Sequence, residues 1–327
     1  ADSNASITAT PGQGFQFSSW TGAGVANPNA ASTTVSMDQN RSVTANFELS
    51  NQAPTEIHLF PDDAQQLLVT GGSPRVRDVI EQAVLTSRDP EIARITGQGT
   101  VRGLKPGHTS IEIRWENQTI NVPVTIGADN QRPEIRFSSD IVPVLTKLGC
   151  NSGGCHGKAT GQGQFKLSLL GFDPPLDYLA LVKEARGRRL FPGAPDRSLM
   201  LLKATAQMPH GGGRRLAVDD DDYRVLKQWI ASGSVGPGGP ETKLERIEVT
   251  PQRQTLMPES RQQLLVTAHY ANGESRDVTR RTLYQSNQPD LARVSRTGRV
   301  QTTSQRGLFS VMARFAGKIS TFYAAVP

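Results

Sequence analysis

The sequence predicts a multidomain chain: a small all-β repeat, two β-sandwiches, and one all-α domain lying between the sandwiches. Three observations predict this. The chain has 327 residues, enough at about 150 residues per domain for two domains, or for more if they are small β-modules. One stretch occurs twice. Between the two occurrences the hydrophobic period changes from that of strands to that of helices.

Residues 1–48 read as short strands and turns. Ser6-Ile7-Thr8-Ala9-Thr10 precedes a Pro11-Gly12-Gln13-Gly14 turn, and Phe15, Phe17 and Trp20 follow as spaced aromatics. Thr33–Met37 and Ser42–Phe47 then alternate with the period of half-buried strands.

The internal repeat organises what comes next. Gln65-Gln66-Leu67-Leu68-Val69-Thr70 recurs as Gln262-Gln263-Leu264-Leu265-Val266-Thr267, Ser87–Ile95 recurs as Ser286–Val294, and Gly99-Thr100-Val101 recurs as Gly298-Arg299-Val300. The copies span residues 54–127 and 244–327. Short β-rich runs punctuated by Gly, Pro and Asn suit an antiparallel sandwich in each.

Residues 134–236 carry helical periodicity: Ile141, Val142, Leu145 and Leu148 after a cap at Ser139 or Asp140; Leu181 and Val182 after Asp177; Leu199, Met200 and Leu202 after Asp196; and Val225, Leu226, Trp229 and Ile230 after Asp219. The run Asp219–Asp222 reads as carboxylates at the positive end of a helix dipole rather than as a calcium site. Ala128–Pro133 and Gly236–Pro240 read as linkers.

Composition excludes several classes. With 36 basic against 30 acidic residues the chain carries +6, too dilute for nucleic acid in the absence of a basic block interleaved with aromatics. No stretch approaches the ~18 apolar residues of a membrane span. The opening Ala1–Asn4 shows no signal-peptide pattern. Two cysteines exclude a disulfide scaffold and a four-cysteine zinc site, and no catalytic triad, phosphate loop or carboxylate pair suggests a hydrolase.

The chemistry-bearing cluster is Cys150-Asn151-Ser152-Gly153-Gly154-Cys155-His156-Gly157. Covalent haem attachment needs two thiols and an imidazole directly after the second. Four residues separate the cysteines here rather than the usual two, with small Ser152, Gly153 and Gly154 to let the loop bulge. A local disulfide or two free thiols are the alternatives. Gln207-Met208-Pro209-His210-Gly211-Gly212-Gly213 would supply a second axial ligand, His210 or, as the alternative, Met208. The insert holds six Lys and eight Arg against ten acidic residues, with Arg186, Arg188, Arg189, Arg214 and Arg215 bunched. Arg188 and Arg189 are candidates to pair haem propionates, and a solvated basic face is the alternative. His58, His108 and His269 lie in the sandwiches without partnering motifs.

Three resemblances follow from these motifs. Thr10-Pro11, Gly14-Phe15, Phe17, Trp20 and Gly22, closing on Val43–Phe47, resemble the divergent internalin-B-type repeats of bacterial surface proteins, without the first hairpin; Ala1 is read as a processing boundary. The order Leu-x-Val-Thr, Arg-Asp-Val, Ser-x-x-Pro-x-x-Ala-Arg-Val, Gly-x-Val resembles bacterial Ig-like group 2 domains, which serve as stalks or spacers. The insert, through Asp140–Leu145, Gly149-Cys150, Cys155-His156-Gly157, Gly163–Leu169, Gly187–Arg189, Pro195–Lys203, Pro209–Gly213 and Trp229–Gly233, resembles the planctomycete-type cytochrome c domain. That resemblance implies a class-I-like all-α fold holding one covalent haem c on Cys150 and Cys155, with His156 as proximal iron ligand. The function so implied is an exported monohaem cytochrome, periplasmic or extracellular, transferring electrons with a redox partner protein and displayed on Ig-like modules that can make surface or self-assembly contacts. The alternative is a non-haem structural or adhesive surface protein with a Cys150–Cys155 disulfide. Haem catalysis or sensing is a third reading.

Overall fold

Alternation drives the strands. In Gly107–Trp115 and Gln118–Ile126 the residues Ile111, Ile113, Val122 and Val124 all point inward, and their register places Ile111 opposite Val122. The same hairpin recurs as Gly307–Phe315 with Lys318–Val326, where Val311 faces Phe322. The computed structural model describes residues 4–10, 15–49, 53–71, 77–97, 99–238 and 242–327. The expected turn at Pro11–Gly14 and the linker end at Gly239 and Pro240 lie outside these residues.

At the N-terminus two antiparallel pairs form, Asn4–Thr8 with Ser32–Ser36 and Phe15–Thr21 with Thr44–Leu49. Trp20 is buried and donates its indole N–H to the Ala30 carbonyl at 3.0 Å, which satisfies the one polar atom that burial would otherwise leave unpaired.

The first sandwich has a four-stranded sheet, in the order Ile57–Leu59, Gln118–Ile126, Gly107–Trp115, Val84–Ser87, and a three-stranded sheet, Ala93–Thr96, Thr100–Gly103, Ala64–Gln66. The second repeats this with Arg253–Thr255, Lys318–Val326, Gly307–Phe315, Leu283–Ser286 and with Ala292–Val294, Arg299–Thr302, Arg261–Gln263, adding a further sheet of Leu244–Thr250, Leu265–Tyr270 and Ser275–Asp277. Val101 and Val300 sit in matching central strands, both fully buried. Leu67 and Leu264 follow matching strands and donate to the carbonyls of Gly99 and Gly298 at 2.8 and 2.9 Å. The sheets are not purely antiparallel. Ile57–Leu59 and Arg253–Thr255 each pair parallel to the last strand of their unit, a direction that alternation of side chains does not encode.

The insert corrects the fold-class expectation. Described residues are dominated by strands, and 134–236 is not a large all-α cytochrome domain. Its helices are α1 (Val142–Lys147), α2 (Pro174–Tyr178), α3 (Leu199–Ala204) and α4 (Asp221–Ala231), of 6, 5, 6 and 11 residues. The physical reason is the spacing of starters and breakers. Pro143 and Pro174 sit in first turns, while Gly149, Gly171 and Gly187 at positive φ, together with Leu170, Ala185 and Arg186 at positive φ, interrupt the chain around α1 and α2, so that only α4 exceeds two turns. Helices this short are marginal alone. They persist because Phe137, Ile141, Leu145, Leu201, Leu226 and Trp229 form one buried cluster, with Trp229 donating to the Val235 carbonyl at 2.9 Å. A π-turn, Phe137–Ile141, leads into α1.

The expected caps also shift. Asp173 rather than Asp177 caps α2, accepting from the Leu176 amide at 3.1 Å. Asp177 is fully buried and takes the Ser168 amide and hydroxyl, and burial pushes its carboxyl above the ordinary range against those two bonds. Neither Ser139 nor Asp140 caps α1 through its side chain; the Asp140 carboxylate accepts from the Arg136 amide at 2.9 Å.

Candidate functional site

The loop after α1 is built by backbone bonds that leave little freedom. Gly149, at φ +76°, turns the chain, and the Cys150 amide donates to Leu145 at 2.9 Å. Asn151 is fully buried, donates its side-chain amide to the Thr146 hydroxyl at 2.8 Å, and offers its carbonyl to the Leu170 amide at 2.9 Å. The His156 amide closes the loop onto the Cys150 carbonyl at 3.0 Å. A Cβ at Gly157 would stand 2.0 Å from the Asn151 carbonyl, so only glycine fits directly after the histidine.

His156 is half-buried. Its Nδ1–H donates to the Phe165 carbonyl at 3.0 Å, and its ring lies 4.6 Å from that of Phe165. Because a carbonyl only accepts, this bond assigns a proton to Nδ1. His210 is built alike: Nδ1–H donates to the Gly213 carbonyl at 3.0 Å. The two imidazoles stand 6.4 Å apart, centre to centre, with planes 9° from parallel. Burial, with His210 and Arg189 adding to it, holds His156 below the ordinary imidazole value despite its backbone bonds. At neutral pH this environment favours the uncharged imidazole.

Cys150 and Cys155 are both free thiols, each partly exposed. Cys150 packs on the insert's core, and burial, then the neighbouring Cys155, pushes its thiol up to about 11, with the Arg215 guanidinium acting in the other direction. Arg215 reaches the Cys155 sulfur at 3.9 Å. Sequence reading placed Arg215 only among a bunch of basic residues. Arg189 is committed elsewhere: it is buried, donates to the carbonyls of Ala180 and Glu184 at 2.8 and 3.1 Å, and lies 4.4 Å over the Phe165 ring. It thereby fixes the residue whose carbonyl holds His156. Arg188 is exposed, and Met208 is 39% exposed, its amide bound to the Leu202 carbonyl. Exposed apolar side chains gather on the insert: Leu169, Phe172, Leu176, Leu179 and Phe191.

Comparison with known proteins locates one module by family. Residues 1–51 match the family described as "Divergent InlB B-repeat domain". No curated protein matches the chain. Among solved structures the chain is similar to domains 5-6 of the S-layer protein SbsC, at 12% identity and TM-score 0.31, over 85% of this chain and 97% of that one. It is also similar to the D00-D0 domain of intimin, at 9% identity and TM-score 0.17, over 83% and 94%. A third is invasin, a bacterial integrin-binding protein, at 8% identity and TM-score 0.18, over 99% and 52%. None of these reaches the similarity at which two chains share one overall fold.

The electron-transfer reading is corrected by these results. The middle of the chain lacks the frame of long helices that a class-I-like cytochrome needs, and among the described residues no group of three or more His, Cys, Asp or Glu side chains is placed to hold a metal. The family match falls on residues 1–51, outside the insert. No helix among the described residues is long and apolar enough to cross a membrane.

Proposed function

We propose that the chain is a structural or adhesive element of a bacterial cell surface, built from β-modules that hold a helical insert between them. The observation that carries this reading is the match of residues 1–51 to a divergent InlB B-repeat, joined to a duplicated β-sandwich whose copies pack side by side. Rigid β-modules present loops and edges while resisting local unfolding, which suits contact with other surface molecules. Protease shaving of intact source cells tests it. Release of peptides from 54–127 and 244–327 without lysis is expected, and protection of the chain until lysis would overturn it.

A second proposal concerns the thiol–imidazole pocket, favoured by a specific observation. The His156 and His210 rings lie near each other, 6.4 Å centre to centre, and each has one ring nitrogen tied to a backbone carbonyl, the kind of support that orients ligating histidines. Cys150 and Cys155 would anchor a haem c group through thioethers, and His156 and His210, rather than Met208, would hold its iron. Intact mass after expression with haem-maturation machinery tests it: a gain of one haem, abolished in the Cys150→Ala, Cys155→Ala double variant, is expected, and the bare polypeptide mass would refute it.

A further inference from the structure

We infer that Asp221 is the keystone of a three-way ionic latch that makes the two sandwiches and the helical insert one rigid body rather than three modules on linkers. Asp221 stands at the start of α4. One carboxylate oxygen accepts from Arg102 of the first sandwich at 2.7 Å, and the other accepts from Nε and a terminal nitrogen of Arg280 of the second sandwich at 2.9 and 2.6 Å. Arg224, one turn along α4, adds a further bond. A single side chain of the insert thus touches both repeats at once. The three partners are largely shielded, at 17%, 23% and 25% exposure for Arg102, Asp221 and Arg280, where ion pairs are screened less than on an open surface.

Neighbouring contacts converge on the same junction. Lys147, at the end of α1, pairs with Asp222 at 2.7 Å and donates to the Arg280 carbonyl. Asp140, almost wholly buried, accepts from Arg276 at 2.6 Å and from Arg281. The linker side is pinned too: Arg132 pairs with Asp63 at 2.7 Å and lies over Phe60 at 5.1 Å.

The sandwiches also touch each other, and they do so reciprocally. The turn Thr279–Arg281 of the second copy rests on Ala64–Gln66 of the first, while Arg77–Asp78 of the first rests on Arg261–Gln263 of the second. Ala64–Gln66 and Arg261–Gln263 are equivalent strands, so each copy offers the same strand to the Arg-Asp-Val turn region of the other, although at adjacent rather than equivalent positions of that turn. Across it, Glu81 accepts from Arg261 at 2.7 Å and pairs with Arg299, and Asp78 accepts from the Gln263 amide at 2.7 Å.

Hydrogen exchange on the intact chain, with small-angle scattering, tests the latch through two variants. Asp221→Asn keeps the shape of the side chain and removes its charge. It is expected to speed exchange on the order of tenfold at Thr100–Gly103 and Thr279–Arg281, to enlarge the radius of gyration, and to leave Ile111–Ile113 and Val311–Ala313 protected. Arg102→Gln should speed exchange at Thr100–Gly103 while the Asp221–Arg280 pair holds, so that Thr279–Arg281 gains less than in Asp221→Asn. Unaltered exchange and scattering in Asp221→Asn would overturn the inference. So would loss of protection in both sandwich cores, since that would make Asp221 a folding residue rather than a docking one.

Discussion

The same turn occurs in both sandwiches and does opposite electrostatic work. In the first copy it reads Arg77-Asp78-Val79-Ile80-Glu81, in the second Arg276-Asp277-Val278-Thr279-Arg280-Arg281. Its internal geometry is shared. Val79 and Val278 donate to Val69 and Val266 at 2.9 and 2.8 Å, and Asp78 and Asp277 accept from the amides of Ile80 and Thr279 at 3.0 and 2.7 Å. What differs is the charge that follows. Glu81 receives two arginines of the second sandwich, whereas Arg280 and Arg281 deliver two guanidiniums to carboxylates of the insert. Positions that build the turn are common to the copies, and positions that choose a neighbour have diverged.

The largest effect that would test this contrast is at Asp140. Asp140→Ala would leave Arg276 and Arg281 facing one another without a carboxylate, and removing one partner of a buried ion pair costs about 3–5 kcal/mol. Urea unfolding should show that loss, and a change below about 1 kcal/mol would mean that the second turn needs no acidic neighbour. Next come the equivalent core residues. Leu67 and Leu264 are both fully buried, so Leu67→Ala and Leu264→Ala should each cost about 2–5 kcal/mol, and a wide disparity between them would break the equivalence of the copies.

Acid should separate docking carboxylates from turn carboxylates. Burial pushes Asp221 and Asp140 up, but the guanidiniums of Arg280 and Arg102, and of Arg281 and Arg276, outweigh it and hold both below the ordinary 3.8. A depressed carboxylate contributes stability that is present above its unfolded value and lost as pH falls through its folded one. The latch should therefore persist down to pH 3.8 and open below it, read as a rise in radius of gyration that is smaller in Asp140→Asn. Asp78 and Asp277 are pushed above 3.8 by burial, so the turns themselves lose nothing from protonation in that range; their prior melting on acidification would contradict the assignment. The smallest effect belongs to Glu81, which is 38% exposed. Glu81→Gln should cost less than about 1 kcal/mol, measurable as faster exchange at Arg261–Gln263 alone.

Much of the β architecture was legible because repetition and period-2 alternation are local. The Gln-Gln-Leu-Leu runs, the Gly-x-Val strands and the short β-rich runs around Ile111–Ile113 and Val311–Ala313 can all be read without knowing what lies beside them. The all-α expectation failed because helical periodicity over four or five apolar positions does not reveal that Gly149, Gly171 and Gly187 break the chain between them. Cys150, Cys155, His156 and His210 were legible as a set of ligating types, while the tautomers fixed by the Phe165 and Gly213 carbonyls were not. Asp140 and Asp221 read as ordinary helix-start acids. Their true partners, Arg281 and Arg280, lie 141 and 59 residues away in the chain, where no local pattern reaches.

The direct contact between the sandwiches has a mechanical consequence. Because the insert is spliced between two copies that already touch, tension applied across residues 54 and 327 runs first through the Glu81–Arg261 and Gln263–Asp78 contacts and the Asp221 latch. The Cys150–His156 loop lies off that load path. It takes up load only once the junction parts, so the thiols and imidazole it carries are sheltered from forces that pull on the sandwiches.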